Sequence, residues 1–182
     1  MVEADDNLLS LIETVVTNDQ LRILTVKGVN LPGSAKVKVS VHVRNIDRLS
    51  LADSADLTAA RLSSPKLAGN IAGSGTITIN GLQTDDLVIS IAGSGRFEPQ
   101  GTAKAMDVSI AGSGDVNTAK LSTQNATASI AGSSDAVLWV RKALSVSIAG
   151  SGDVHYYGEG TLRDTSTMGS GRIKQLGASP PV

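Results

Sequence analysis

Apolar and polar residues alternate along most of the chain in units that repeat about every twenty residues. Each unit contains the phrase Ile-Ala-Gly-Ser-Gly, and apolar residues at every second position lead into it. The phrase begins at Ile71, Ile91, Ile110, Ile130 (where Ser134 replaces the last glycine) and Ile148, with separations of 20, 19, 20 and 18 residues. Repeats of this length are typical of units that bury their apolar faces only by stacking on one another. The pattern therefore predicts a repeat protein.

The alternation predicts two strands in each unit, joined at a corner formed by the phrase. The inward residues before the phrase are Leu87, Ile89 and Ile91; Met106, Val108 and Ile110; Ala126, Ala128 and Ile130; Leu144, Val146 and Ile148. A second strand returns Ile77, Phe97, Val116, Ala136, Val154 and Ile173 to the interior. Glycine suits the corner because a positive φ costs it little and the missing Cβ lets neighbouring coils approach.

These features predict an all-β, single-domain parallel β-solenoid of about six coils. At about 4.8 Å per coil it would be roughly 30 Å long. The usual handedness of parallel crossovers favours a right-handed β-helix. A left-handed hexapeptide solenoid is disfavoured because the six-residue subperiod is missing, and a β-propeller would need blades of around 40 residues.

The solenoid repeats are predicted to span residues 49–177, between a β-rich N-terminal cap of the same domain at 1–48 and a tail at 178–182. Within the cap, two apolar runs flank a turn at Asn18-Asp19, and a second turn is expected at Pro32-Gly33-Ser34. Alternating valines over residues 37–43 predict a further strand. Degenerate copies of the phrase at Leu51 and Met168 extend the array at both ends.

Composition removes several classes of function. The net charge of −1 gives no basic surface for nucleic acid, and the absence of cysteine excludes disulfides and thiolate chemistry. The start of the chain lacks the basic and apolar regions of a signal peptide, and no apolar run is long enough to span a membrane. His42 and His155 form no ligand cluster, the recurring Gly-Ser-Gly is not a single nucleophile motif, and we expect neither cofactor nor catalytic residue.

Beside the corner, alignment of the units places polar residues in one column: Asp56, Thr76, Arg96, Asp115, Asp135, Asp153 and Arg172. The plain interpretation is that each aspartate accepts a hydrogen bond from a main-chain N–H of its own turn. Asp115, Asp135 and Asp153 are also weak candidates for a calcium site, although the spacing of known calcium loops is missing. Acid–base catalysis by a pair of these carboxylates is a further alternative.

A second candidate is a contact surface formed by Val137, Trp139, His155, Tyr157 and Leu176. Because Ala136, Leu138 and Val140 are predicted to point inward, Val137 and Trp139 would point outward. His155 and Tyr157 would align with them one coil later, and Leu176 after that. Such a strip is a candidate interface on a surface otherwise rich in Ser, Thr and Ala. Cover by the cap or the tail is the alternative.

The repeated segment Ser-Ile-Ala-Gly-Ser-Gly-Asp-Val, at 109–116 and 147–154, resembles the DUF2807 family, described as an autotransporter adhesin head with a GIN domain. The opening segment from Asn7 to Ile23 is similar to that family as well. The resemblance implies a β-solenoid of exported, envelope-associated bacterial proteins, in the periplasm or on the cell surface. It carries over no catalytic residues.

Three functions remain open. The first is a non-enzymatic, extracytoplasmic structural, adhesion-like or scaffolding module, with another copy, an envelope protein or a glycan as its partner. The second is a glycan-active β-helix enzyme using Asp115, Asp135 or Asp153. The third is a cytoplasmic solenoid that polymerises end to end through uncapped terminal coils.

Overall fold

The computed structural model describes residues 2–3, 9–26 and 37–181. The chain divides into two compact units, 1–44 and 45–182. Among the described residues, no helix is long and apolar enough to cross a membrane.

The first unit contains an antiparallel hairpin of β2 (Ile12–Thr17) and β3 (Gln20–Thr25). Its two-residue turn is the predicted one, because Asn18 and Asp19 adopt φ values of 51° and 61°, the positive values that a type I′ hairpin turn requires. The predicted turn at Pro32-Gly33-Ser34 lies outside the described residues.

The predicted strand over residues 37–43 is wrong in its extent. Only β4 (Lys38–Val39) is a strand, paired antiparallel with β1 (Val2–Glu3). Residues 40–47 have no strand structure. Val41 and Val43 have no ladder partner among the described residues, and a period of two alone does not make a strand.

The second unit is the predicted parallel β-solenoid of about six coils. Its strands are β5 (Arg48–Asp53), β6 (Asp56–Ala59), β7 (Leu62–Gly73), β8 (Thr76–Gly93), β9 (Arg96–Gly112), β10 (Asp115–Asn117), β11 (Leu121–Gly132), β12 (Ala136–Gly150), β13 (Asp153–Tyr157), β14 (Thr161–Gly169) and β15 (Arg172–Gly177). Every pairing within it is parallel. The phrases stack in register, so that Ile91 pairs with Ile71 and Ile110 with Ile91.

The interior is filled by the alternating apolar residues that the pattern predicts. Ile89, Val108 and Leu144 are fully buried, as is Phe97, whose ring fills the space that a side chain at Gly69 would need. The interior is therefore a packed core rather than a channel.

Corner glycines let the coils approach at the end of each phrase. Gly93 and Gly112 have φ values of 123° and 129°, and a Cβ on either would come within 2.5 Å of the carbonyl oxygen of the corner glycine one coil earlier. Real Cβ atoms do not approach an oxygen so closely, and L side chains disfavour this backbone region. The phrase is thus explained by coil stacking.

The last coil carries polar residues at inward positions. Thr165 pairs with Val146 and Thr167 with Ile148, and both aliphatic partners are buried. Polar terminal repeats keep the end of a repeat array soluble.

Candidate binding surface

Three parallel columns of side chains cover the outer face of the strands that follow the corner. The first is the charged column predicted from the sequence, and the pairings Asp56–Thr76, Thr76–Arg96, Arg96–Asp115 and Asp153–Arg172 confirm its register. The second column includes Glu98, Asn117, Val137, His155 and Lys174. The third contains Trp139 and Tyr157. Each column lies two residues, roughly 7 Å, along the strand from the next.

Three of the four aspartates of the first column accept from a main-chain N–H of the following coil and not of their own turn, whereas Asp115 accepts from the side chain of Arg96 in the preceding coil. Oδ1 of Asp135 accepts from the main-chain N–H of Asp153 at 3.2 Å, and Oδ1 of Asp153 accepts from that of Arg172 at 2.9 Å. Asp56 accepts from Thr76 N–H in the same way at 3.2 Å. The prediction of a local turn bond is therefore wrong.

The reason lies in the stacking of the corners. The main-chain N–H groups of a corner donate to carbonyl oxygens of the preceding coil, as Ser94 does to Gly73 at 2.9 Å and Asp115 does to Gly95 at 3.0 Å. These N–H groups therefore point towards the preceding coil and away from the aspartate of their own turn, and that of Thr76 donates both to the Ala55 carbonyl and to Asp56 there. The carboxylate instead extends along the stacking direction and meets the next coil about 4.8 Å away.

Two arginines bracket the three successive aspartates of the column. The guanidinium of Arg96 lies 3.1 Å from Oδ2 of Asp115, and that of Arg172 lies 3.2 Å from Oδ2 of Asp153. The hydrogen bond from the Arg172 side chain is the main cause that holds the pKa of Asp153 below its ordinary value. These pairs offset the repulsion between stacked carboxylates, although solvent screens exposed pairs of this kind.

The structure gives no support to a calcium site at Asp115, Asp135 and Asp153. Among the residues that the structure describes, no three Asp, Glu or His side chains converge to hold a metal ion. The three carboxylates stand in successive coils, where Asp135 and Asp153 accept from main-chain N–H groups and Asp115 pairs with Arg96.

The aromatic surface, defined as Val137, Trp139, His155 and Tyr157, forms as the alternation predicts. Val137 pairs with His155 and Trp139 with Tyr157, on adjacent parallel strands. All four are partly accessible, while Leu138 between them is fully buried. The two outward rings stand side by side, one coil apart.

Leu176 does not continue this surface as predicted. A register shift between β13 and β15 pairs Tyr156 with Gln175 and Tyr157 with Gly177, so Leu176 has no aromatic partner. The amide of Gln175 donates to the carbonyl of Gly158 at 2.7 Å, which fixes this irregular end. Leu176 is exposed at the shift.

Sequence reasoning missed a surface depression beside the aromatic surface. It measures about 500 Å³ and is lined by Asp153, His155, Arg172, Ile173 and Lys174. The signal that could have found it is the column alignment, which places Lys174 next to His155. A second depression, about 430 Å³, lies across β11, β12 and β14, and its lining consists mainly of serine, threonine and alanine with Arg163 and Asp164.

Comparison with known proteins fits this architecture. The family model described as "Putative auto-transporter adhesin, head GIN domain", DUF2807, matches residues 1–160. The chain belongs to the DUF2807 family. The predicted resemblance is confirmed over most of the sequence.

Solved structures share the fold. A "putative adhesin" from Bacteroides fragilis NCTC 9343 is 24% identical with a TM-score of 0.86, over 94% of this chain and 79% of that one. A "putative lipid binding protein" from Parabacteroides distasonis ATCC 8503 is 27% identical with a TM-score of 0.70, over 96% and 82%. A "putative adhesin" from Parabacteroides merdae ATCC 43184 is 20% identical with a TM-score of 0.71, over 96% and 82%. No curated protein matches the chain.

Proposed function

We propose that this DUF2807 chain is a non-enzymatic, extracytoplasmic adhesion-like module that holds its partner at the aromatic surface. The observation that carries the proposal is the distribution of its aromatic residues. The chain has one Trp, two Tyr and one Phe. Phe97 and Tyr156 are buried in the coils, whereas Trp139 and Tyr157 lie next to each other on the outside.

Two adjacent aromatic residues on the outside of the solenoid favour binding of a partner. Aromatic side chains contribute large contact areas with little conformational entropy, and they are enriched where proteins bind partners. The interior of the solenoid is already packed, so stability alone does not require two rings on the outside. The parallel strands beneath them hold the two residues in register, one coil apart.

The charged column supports the non-enzymatic part of the proposal. A general acid or base needs a carboxyl that can reach a substrate. Asp135 and Asp153 instead hold main-chain N–H groups of the following coil, and Asp115 pairs with Arg96. We therefore expect that neither the wild type nor the variant with all three replaced by Asn cleaves a polysaccharide. Cleavage by the wild type that disappears in the triple variant would favour the glycan-active alternative.

The polar last coil argues against end-to-end polymerisation. Thr165 and Thr167 stand at positions where an added coil would need apolar partners. The exported location rests on the family description, and protease accessibility of the full-length protein on intact cells tests it.

The binding proposal is tested with beads that carry the protein and a panel of immobilised mucin, extracellular-matrix proteins and bacterial envelope fractions. We expect adherence to at least one member of the panel, lost in the double variant Trp139→Ser/Tyr157→Ser. Val88→Ser is the matched control, because Val88 is a partly accessible residue of the other outer face. No adherence to any member contradicts the adhesion-like function, and equal adherence of the double variant places the contact elsewhere.

A further inference from the structure

The depression and the aromatic surface form one continuous site. His155 belongs to both, since it lines the depression and pairs with Val137. Asp153, His155 and Tyr157 are successive outward residues of β13, so the site extends roughly 13 Å along this strand. This length suits a short oligosaccharide better than a single small ion.

The depression carries an excess of positive charge. Arg172 and Lys174 are exposed and face one carboxylate, that of Asp153, which gives these three side chains a net charge of +1. Asp153 is already bonded to the main chain and the side chain of Arg172. The Arg172 side chain is nevertheless 81% exposed, so most of its donors face solvent.

The same column contains a natural contrast at Arg96, four coils before Arg172. Arg96 pairs with Asp115 at 3.1 Å and also lies 3.9 Å from Glu98. There, one guanidinium meets two carboxylates and the net charge is −1. Position in the column is therefore not what makes the Arg172 end electropositive. The difference is Lys174 and His155 in the place of Glu98 and Asn117.

Recognition at this site must use side chains. β13 is paired on both sides, with β12 and with β15, so its main-chain groups are not available for a peptide that adds as a strand. A guanidinium and an ammonium group bind carboxylates through charge-assisted hydrogen bonds. The flat faces of Trp and Tyr rings pack against apolar C–H surfaces such as one side of a sugar ring.

We propose that this combined site binds a carboxylate-bearing oligosaccharide. Arg172 and Lys174 hold the sugar carboxylate in the depression, and Tyr157 and Trp139 pack against the adjoining sugar ring. The inference rests on the proposed function, because it names the chemical class of partner for the same surface.

The first test is an array of immobilised oligosaccharides in which uronic-acid and sialic-acid glycans stand beside neutral glycans of matched length. We expect binding confined to the carboxylated members and weakened by salt. Titration calorimetry with trigalacturonate and with neutral maltotriose then measures the difference in solution. Absence of binding to every carboxylated member, or equal binding of neutral members, overturns the inference.

The second test replaces single charged side chains of the site and compares each variant with a matched control. On the carboxylated glycan that binds best, Arg172→Gln lowers affinity roughly tenfold to a hundredfold, in line with loss of a charge-assisted bond. Lys174→Gln lowers it less, because an ammonium group makes a single-point contact. Arg96→Gln is the matched control and leaves affinity unchanged; an equal loss in Arg96→Gln means that only overall charge matters, and contradicts the site.

The two proposals fail in distinguishable ways. If bead adherence depends on Trp139 and Tyr157 but is neither competed by carboxylated glycans nor reduced by Arg172→Gln, the glycan inference is wrong and the binding surface stands. If the double variant Trp139→Ser/Tyr157→Ser also adheres as well as the wild type, the proposed function is wrong too.

Discussion

The corner glycines give the sharpest stability prediction, at Gly112→Ala. Gly112 has a φ of 129°, and an added Cβ would lie 2.5 Å from the carbonyl oxygen of Gly93. A non-glycine residue in this backbone region costs about 1 to 3 kcal/mol. The contact adds to this cost because it can be relieved only by separating two coils, which weakens the ladder bonds beside it, such as that from Ser113 N–H to Gly93 O at 2.9 Å. We therefore expect a loss of about 3 kcal/mol.

The assay is urea unfolding followed by circular dichroism, with Ser113→Ala as the control. Ser113 is exposed and adjoins Gly112, so its replacement should change the free energy of unfolding by less than about 0.5 kcal/mol. A Gly112→Ala variant as stable as this control would refute the explanation of the phrase as a stacking corner. Asp53 fits the explanation. It adopts a φ of 65° at the equivalent position, but β5 is the last strand of the sheet, with no preceding strand in the described part of the chain.

Three further predictions concern single side chains. Phe97→Ala removes a fully buried ring and should lower the free energy of unfolding by about 3 to 5 kcal/mol, measured by urea unfolding; a loss below about 1 kcal/mol would contradict the packed core. Thr118→Val removes a buried hydroxyl that donates to the Val137 carbonyl at 3.2 Å and should cost about 1 kcal/mol in the same assay, whereas a more stable variant would show that the bond contributes nothing. Arg172→Gln should raise the pKa of Asp153 towards its ordinary value, because it removes the main cause of the lowered pKa. Carbon-detected NMR titration measures this pKa, and an unchanged value would contradict the role given to Arg172.

The sign of the Asp153 effect sets its pH window. A carboxyl whose pKa is lower in the folded protein stabilises the fold above its unfolded pKa, and this contribution is lost as pH falls through the lower folded value. The wild type should therefore lose this contribution only below the ordinary aspartate range of about 3.9. Arg172→Gln reduces the difference between the folded and unfolded pKa of Asp153, so its stability should depend less on pH in that window.

Periodicity was enough to predict the solenoid because every coil is built from the same local pattern of two strands and a corner. Apolar residues at every second position determine which side chains point inward, and the glycine phrase marks the corner. The pairing of Trp139 with Tyr157 therefore followed directly from the length of the repeat. The degenerate copies at Leu51 and Met168 stack as predicted, since Leu51 pairs with Ile71 and Met168 with Ala149.

What sequence reasoning missed depends on contacts between coils. The acceptor role of Asp135 towards the next coil becomes visible only once the N–H groups of the corner are seen to be in use. Leu176 is displaced by a single register shift beside Gln175, which the alternation does not encode. The valines after Val39 have the right period but no described partner strand. The positive depression combines Asp153 and Lys174 from different coils.

The single tryptophan of the chain allows the most direct test of the binding surface. Trp139 fluorescence should shift to shorter wavelength, and become protected from acrylamide quenching, when the wild-type protein binds the panel member to which its beads adhere. Val88→Ser should behave in the same way. Unchanged emission and quenching in a fully bound sample would contradict the central claim that the partner sits on Trp139 and Tyr157.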